Sequence, residues 1–502
     1  MGSQFFQPSW PFHRIINSNL DVDEVECFDK LKSSSFSTPE GCFSTMFQTQ
    51  ISQSPSGDDH MQTMLTLEDF LNDPNFYRDM EFVLSDSEGS FPSQEASNEG
   101  SGWSPSPSIK SNEASSSSLT LPRKESELNS QLSVLHLLKA YGEAMEEGQG
   151  HLADVIMRCM SEKVSLAGEP LLRLAFNLSQ DLEKHGDYLK QESSKNFEEA
   201  FRAFYQIFPY GRFAHFAANS TILEAVPADT ERIHIVDFDM GEGVQWPPML
   251  EALARLQKGV KLTAVKWENT DCDRDPLMWS FEEAKRRLLD HARRFGLKLK
   301  MEEMAIEDLV SEINRRKKRG GRKEWLAFNC MVGLPHMGRV RSRKVVEEFL
   351  RVARESKANS VNRGIIILGD GDCGENLSNS SSFGSFFEGN MAHYLTLLES
   401  IESDFPVNLA EARMALECLF VAPYISSEVW LEKWMDIKEC CKVEMGSSLE
   451  GWSISRECTE EARELVKGNE SFYGLRTGGQ LNNEMILEWK GKSLVRVSAW
   501  KN

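Results

Sequence analysis

The chain has no Cys-x-x-Cys pair, no phosphate-binding P-loop, no His-Glu-x-x-His and no Ser–His–Asp signature. These absences remove the commonest metal, nucleotide and nucleophile chemistries from consideration. Ten cysteines are scattered through 502 residues, with Cys440 and Cys441 adjacent. No disulfide framework is expected in so large a chain, which reads as reduced and intracellular. Asp370, Asp372 and Glu375 open like a calcium loop, but a Gly at position 5 and Ser381 at position 12 exclude one. No apolar run is long enough to span a bilayer and no secretory leader is evident, so no membrane insertion is expected. Met1-Gly2 lacks the Ser or Thr that a myristoylation motif carries, because position 6 is Phe6. Positive charge is also short: 56 Lys/Arg stand against 77 Asp/Glu, a net of −21. Phosphate repulsion opposes non-specific DNA binding by such a chain.

The acid is unevenly placed. Residues 1–126 hold 19 Asp/Glu and 7 Lys/Arg, a net of −12, so a quarter of the chain carries more than half of the charge. This segment is rich in Ser, Pro and Gly and is predicted to be a disordered acidic tail. Within it, residues 64–84 alternate Leu65, Leu67, Phe70, Leu71 and Phe76 with Glu68, Asp69, Asp73, Asp79 and Glu81. That pattern suits an activation segment that folds into a partner's groove, or a linear segment docking on its own domain.

From 127 to 226 the pattern is helical. Leu128, Leu132, Leu135 and Leu138 form one stripe; Leu152, Val155, Ile156 and Met160 a second; Leu171, Leu174, Ala175, Leu178 and Leu182 a third; Phe197, Phe201, Phe204 and Tyr205 begin a fourth. The stripes pack within one bundle or present a partner surface, for which Leu132, Leu135 and Leu138 are the candidates. From 231 to 502 strands and helices alternate: strands at 233–238, 261–268, 297–301, 325–332 and 364–369, helices at 281–294 and 342–358. This predicts βαβ units and a mostly parallel, Rossmann-type sheet. A long polar loop is expected at 374–387, helices at 391–401 and 409–421, and a hairpin at Lys490-Gly491-Lys492.

The most informative stretch is IHIVDFDMGEGVQWPPMLEAL, 233–253. It reads as a buried strand, a Gly-containing acidic turn, then a helix whose first turn accepts Pro247 and Pro248. Asp237, Gly241, Gly243 and Glu268 have the layout of a nucleotide or S-adenosylmethionine site, the glycines admitting the ligand and the acid holding ribose hydroxyls. Asp239 and Glu242 in the same turn would repel a phosphate. His234 fits a satisfied buried histidine and Trp246 a core anchor. The run 314–323 contains Arg315, Arg316, Lys317, Lys318 and Arg319, which suits a nuclear-import signal or a solvated loop after a helix C-terminus.

These residues resemble a family. His234, Asp237, Gln245, Trp246 and Pro247 lie in a stretch similar to the VHIID motif of plant GRAS proteins. PYGRFAHFAANSTILEAV, 209–226, resembles the end of their first leucine-rich region. ARMALE, 412–417, with Arg413 and Glu417, is similar to their PFYRE region, and Ser498, Ala499 and Trp500 match their terminal SAW motif. FDMGEGVQW and LAFNCMVGLPHM resemble the nodulation signalling pathway 2 branch of the scarecrow-like proteins. The resemblance implies plant nuclear transcriptional regulators with a methyltransferase-like α/β core and a helical cap. It implies oligomers with other GRAS proteins, DNA-binding transcription factors as partners, indirect DNA contact, and roles in symbiotic signalling and strigolactone biosynthesis control. It implies no catalytic residue, no metal and no cofactor. The alternative is an S-adenosylmethionine-dependent methyltransferase acting at 233–253. VKWE at 265–268 and LGDGDCGEN at 368–376 depart from the family pattern at the edge where such a ligand would bind.

Overall fold

The computed structural model describes residues 123–179, 197, 200–267, 280–318, 324–358, 364–371, 380–405, 410–439, 449–467, 472–479 and 481–501. Residues 1–122, including the segment 64–84, and also Glu268, Arg319, Cys440 and Cys441, lie outside them. Residues from Ser133 to the C-terminal end belong to one compact unit; the described residues 123–132 are helical and belong to another.

Five parallel strands form one half of the sheet: β1 (Arg232–Asp237), β2 (Gly259–Lys266), β3 (Leu299–Ala305), β4 (Glu324–Val332) and β5 (Gly364–Asp370). β1 is central because its Ile233, Ile235 and Val236 are fully buried on both faces. The other half is antiparallel: β6 (Glu450–Gly451), β7 (Tyr473–Gly478), β8 (Glu484–Trp489) and β9 (Lys492–Lys501). The order is β3-β2-β1-β4-β5-β9-β8-β7, with β6 also on β9. The hairpin between β8 and β9 turns at Lys490 (φ 47°) and Gly491 (φ 78°), the left-handed pair a two-residue turn requires.

The helices preceding the sheet are α1 (Arg123–Glu146), α2 (Gly150–Ser161), α3 (Pro170–Ser179) and α4 (Pro209–Ala225). Those interleaved with the parallel strands are α5 (Trp246–Arg255), α6 (Phe281–Arg294), α7 (Ile306–Lys318) and α8 (Arg343–Ala358). After β5 come α9 (Phe383–Asp404), α10 (Ala410–Phe420), α11 (Ser427–Glu439) and α12 (Arg456–Val466). Helix α6 starts where Ser280 caps it, its Oγ accepting from the Glu283 N–H at 3.4 Å. Tyr141 of α1 meets Phe387 of α9 (5.3 Å between ring centroids) and Phe204 meets Phe420 of α10 (4.7 Å), so the helical cap is joined to the α/β core by aromatic contacts.

Four expectations need correction. Among the described side chains, the buried face of α1 is Val134, Leu138, Tyr141 and Ala144; of the stripe leucines described there, Leu138 is in the core, Leu135 is half-buried and Leu132 is 53% exposed. In α2, Ala153 takes the inward place expected of Leu152. Small and aromatic residues occupy the inward positions, so a search for leucines alone selects a rotated face. The expected loop 374–387 ends in helix, since Phe383, Phe386 and Phe387 are buried in α9, which Ser382 caps through Ser385 N–H. Finally, Ala412–Lys438 is long and apolar enough to cross a membrane by length and composition; it is interrupted at Ala422–Tyr424, and half of its most apolar window is buried inside the fold, as suits a core segment.

Candidate functional site

Strand β1 ends at Asp237, directly opposite Asn329 of β4. Asp237 is 1% exposed, and both of its oxygens are engaged: Oδ2 accepts from Trp246 Nε1 at 3.0 Å and Oδ1 from Asn329 Nδ2 at 2.9 Å. Asn329 Nδ2 also donates to Gln245 Oε1 (3.0 Å), and Gln245 Nε2 donates to Asn219 Oδ1 (3.1 Å) and Asn329 Oδ1 (3.2 Å). Asn219 Nδ2 closes the chain by donating to the Gln245 carbonyl at 2.8 Å. A buried amide network thus links β1, β4, α4 and the start of α5, and such a network specifies geometry when each member is satisfied. Pro247 sits half-buried in the first turn of α5, where its missing N–H leaves no gap.

The turn after β1 is closed by this chain's own side chains. Gly241 and Gly243 are left-handed, with φ 53° and 78°. A Cβ on Gly241 would lie 2.8 Å from Met337 Cε, and one on Gly243 would lie 3.2 Å from Leu288 Cδ1. The glycines were expected to admit a ligand; they admit Met337, from the turn after β4, and Leu288 of α6. The two extra carboxylates are held by arginines. Asp239 pairs with Arg339 and with Arg341 Nε (3.0 Å), and Glu242 pairs with Arg287. The expected repulsion is therefore largely neutralised within the turn. His234 is structural: it is 1% exposed, with Nε2 2.9 Å from Thr263 Oγ1 on β2.

Burial pushes the Asp237 carboxyl up from its ordinary 3.8 to about 7, against the pull of the Asn329 and Trp246 hydrogen bonds. The folded state therefore keeps a proton that the unfolded chain has released between about pH 4 and 7. That contribution to stability is complete below the unfolded value and is lost as pH rises through 7. Asp237→Asn cannot ionise, so it should gain on the parent protein between pH 5 and 8 by on the order of 2 kcal/mol. Urea midpoints of the two proteins across this range measure the difference, and a constant difference would refute the assignment.

The second cluster joins α3, α9 and α10. Arg173 is fully buried; its Nη1 donates to the Gly168 carbonyl (2.7 Å), its Nη2 reaches Glu402 Oε2 (3.1 Å), and its Nε lies 2.9 Å from Glu417 Oε2. Arg413 Nη1 lies 2.8 Å from Glu402 Oε1, and its Nε 3.6 Å from Glu417 Oε1. Two cations and two carboxylates therefore balance. The sequence pointed to Arg413 and Glu417 but missed Arg173 and Glu402. A signal was present: Arg173 falls at an inward position of α3, beside Pro170, Leu174 and Leu178.

The terminal motif lies near the C-terminal end of β9. Ser498, Ala499 and Trp500 pair with Leu368, Ile367 and Ile366 of β5, and Trp500 Nε1 donates to Ser498 Oγ at 3.0 Å. Of the basic run, Arg315 to Lys318 form the end of α7 rather than a loop, and Arg315 is exposed; the side chains of Arg316, Lys317 and Lys318 lie outside the described residues.

Known proteins resemble this chain in sequence and in fold. The GRAS domain family model matches residues 134–501. Protein NODULATION SIGNALING PATHWAY 2 of Medicago truncatula is 27% identical over 410 residues, covering 74% of this chain and 76% of that protein. The protein of the same name in Lotus japonicus is 27% identical over 405 residues, covering 74% and 76%. The crystal structure of SCL7 in Oryza sativa aligns with a TM-score of 0.53 at 23% identity, over 73% of this chain and 99% of that one, a likeness of fold. With the matched domain spanning nearly three quarters of its length, the chain belongs to the GRAS family of plant transcriptional regulators.

Proposed function

We propose that this chain is a nuclear transcriptional co-regulator, not an enzyme, and that it reaches DNA through partner proteins. The observation that carries this reading is the closed turn after β1. In a sheet of this order a ligand binds at the carboxyl ends of the strands. Here Asp237 spends both oxygens on Trp246 and Asn329, and Met337 and Leu288 fill the approach to Gly241 and Gly243. A fold retained without its ancestral chemistry serves binding instead. The net charge of −21 favours DNA contact through a basic partner, either a DNA-binding transcription factor or another GRAS protein. Similarity to NODULATION SIGNALING PATHWAY 2 supports a role in symbiotic signalling, with strigolactone biosynthesis control as the finer expectation. In this reading residues 1–126 form the acidic tail, 64–84 supply activation, Arg315 to Arg319 serve nuclear import, and the half-buried and exposed Leu135 and Leu132 border the partner surface.

Tethering the full chain to a promoter through a heterologous DNA-binding module should alter reporter output several-fold. Deleting 64–84 should remove most of that effect while leaving the protein level unchanged. The methyltransferase alternative predicts micromolar S-adenosylmethionine binding by calorimetry, abolished by Glu268→Ala; that result, with a silent reporter, would overturn the proposal.

A further inference from the structure

His336 is packed in a way that suits only its neutral form. It stands in the short 3-10 turn Pro335–Met337 after β4, is 1% exposed, and neither ring nitrogen has a hydrogen-bond partner among the described residues. Its neighbours are rings. Phe201 and Tyr205, in the helical stretch 200–207, lie 6.1 and 5.4 Å away between centroids, and His215 of α4 meets it edge-on at 4.9 Å. The backbone of α4 is close as well, since a Cβ on Gly211 would stand 2.6 Å from His336 Nδ1. Three segments therefore meet on one imidazole: 200–207, α4 and the turn after β4.

A proton on this ring would add a charge and a second N–H donor where no acceptor stands, and an unpaired buried cation is costly. Among the described residues, the titratable and charged groups around the ring offer it no acceptor. His215 is itself buried, and its Nδ1 is 2.9 Å from the Tyr205 hydroxyl, which burial keeps protonated. The other charged group in this part of α4, Arg212, is a cation. In the turn itself Arg339 is a cation paired with Asp239. The Tyr424 hydroxyl donates to the Leu334 carbonyl at 2.9 Å and accepts from the Arg339 N–H at 3.2 Å. Helix α10 also packs on the turn, but its Arg413 and Glu417 are committed to Arg173 and Glu402, and burial pushes the Cys418 thiol up to about 11. Burial, then His215 and Arg339, hold the His336 imidazole well below its ordinary 6.5. Other buried histidines differ: His291 Nε2 lies 3.1 Å from Glu251, which would welcome a proton, and His234 Nε2 has Thr263.

We propose that this junction is an acid-sensitive latch: 200–207 and α4 stay seated on the turn after β4 while His336 is neutral, and proton uptake by His336 releases them. The proton is taken up only when the junction opens, so acid favours the open form. The latch holds above the range of a free imidazole and weakens as pH falls below about 6.5. One proton gained on opening raises the opening equilibrium about tenfold between pH 7.5 and 5.5.

The test is hydrogen exchange of the full-length protein, read by mass spectrometry at pH 7.5 and 5.5 and corrected for the intrinsic pH dependence of exchange. A local measurement is needed because Asp237 shifts whole-protein stability in the opposite sense. Peptides spanning 200–216 and 332–340 should lose protection at least about tenfold at pH 5.5, while β1 keeps its own. His336→Phe, which fills the ring's space and cannot ionise, should shrink that loss by about tenfold. A packing defect alone would lower protection equally at both pH values, so the pH dependence isolates the proton. His136→Phe, at an exposed position in α1, should leave the response unchanged. If His336→Phe does not fold, His336→Gln takes its place, and the parent profile decides by itself. Equal protection of these peptides at both pH values in the parent, a loss spread equally over β1, or an undiminished loss in the folded variant would overturn the proposal.

Discussion

Arg173→Ala is expected to destabilise the protein by about 3–5 kcal/mol, the range for removing one partner of a buried ion pair. Arg173 is fully buried and Glu417 is 3% exposed, so water cannot replace the lost bonds. After truncation the cation left beside Glu417 is Arg413, whose Nε stands 3.6 Å away. The Gly168 carbonyl loses its guanidinium donor in the same step. Glu402 contributes less to the cost, because its side chain is 36% exposed and solvent screens it. The double variant Arg173→Leu with Glu417→Leu removes both charges and should recover part of the loss. Urea unfolding measures both proteins. A cost below about 1 kcal/mol for Arg173→Ala would mean that the helical cap does not depend on this cluster.

Trp246→Ala should cost about as much, in the 3–5 kcal/mol range for deleting a buried indole. Trp246 is fully buried and anchors α5 beneath β1. It also supplies one of the two side-chain donors that hold Asp237. Trp246→Phe separates packing from hydrogen bonding, since it keeps most of the ring and deletes the N–H. Its cost should be about 1–3 kcal/mol, that of an unsatisfied buried acceptor. The cost should be larger at pH 8, where Asp237 is ionised, than at pH 5, where it is protonated. Equal costs at the two pH values would show that the indole N–H does not support the carboxylate. Loss of the closed turn in Trp246→Ala can be followed separately, as proteolytic cutting near Gly241 and Gly243.

The elements most legible in the sequence were those whose signals lie within a few residues. The β-branched run around Ile233 and Ile235 marked β1, and Phe281–Arg294 was bounded by a capping Ser280 and by Gly296 in a left-handed turn. The hairpin at Lys490-Gly491 was legible for the same reason. Helices α11 and α12 escaped notice because their buried faces are short and hold few aliphatic residues: Val429, Trp430 and Trp434 in α11, and Cys458, Thr459, Ala462, Leu465 and Val466 in α12. The family motifs located Asp237, Arg413 and Glu417 but gave no partners for them.

What the sequence by itself determined was therefore local: strand and helix periods, caps, turns, the charge asymmetry and the motif order. Only the tertiary structure decided what those residues touch. Arg173 meets Glu417 across 244 residues of chain, Asn329 meets Asp237 across 92, and Met337 fills the space beside Gly241. Periodicity and capping are short-range steric and hydrogen-bonding effects, so they are written in neighbouring residues. The pairing of a buried charge depends on which distant elements packing brings within about 3 Å, and no local pattern encodes that distance.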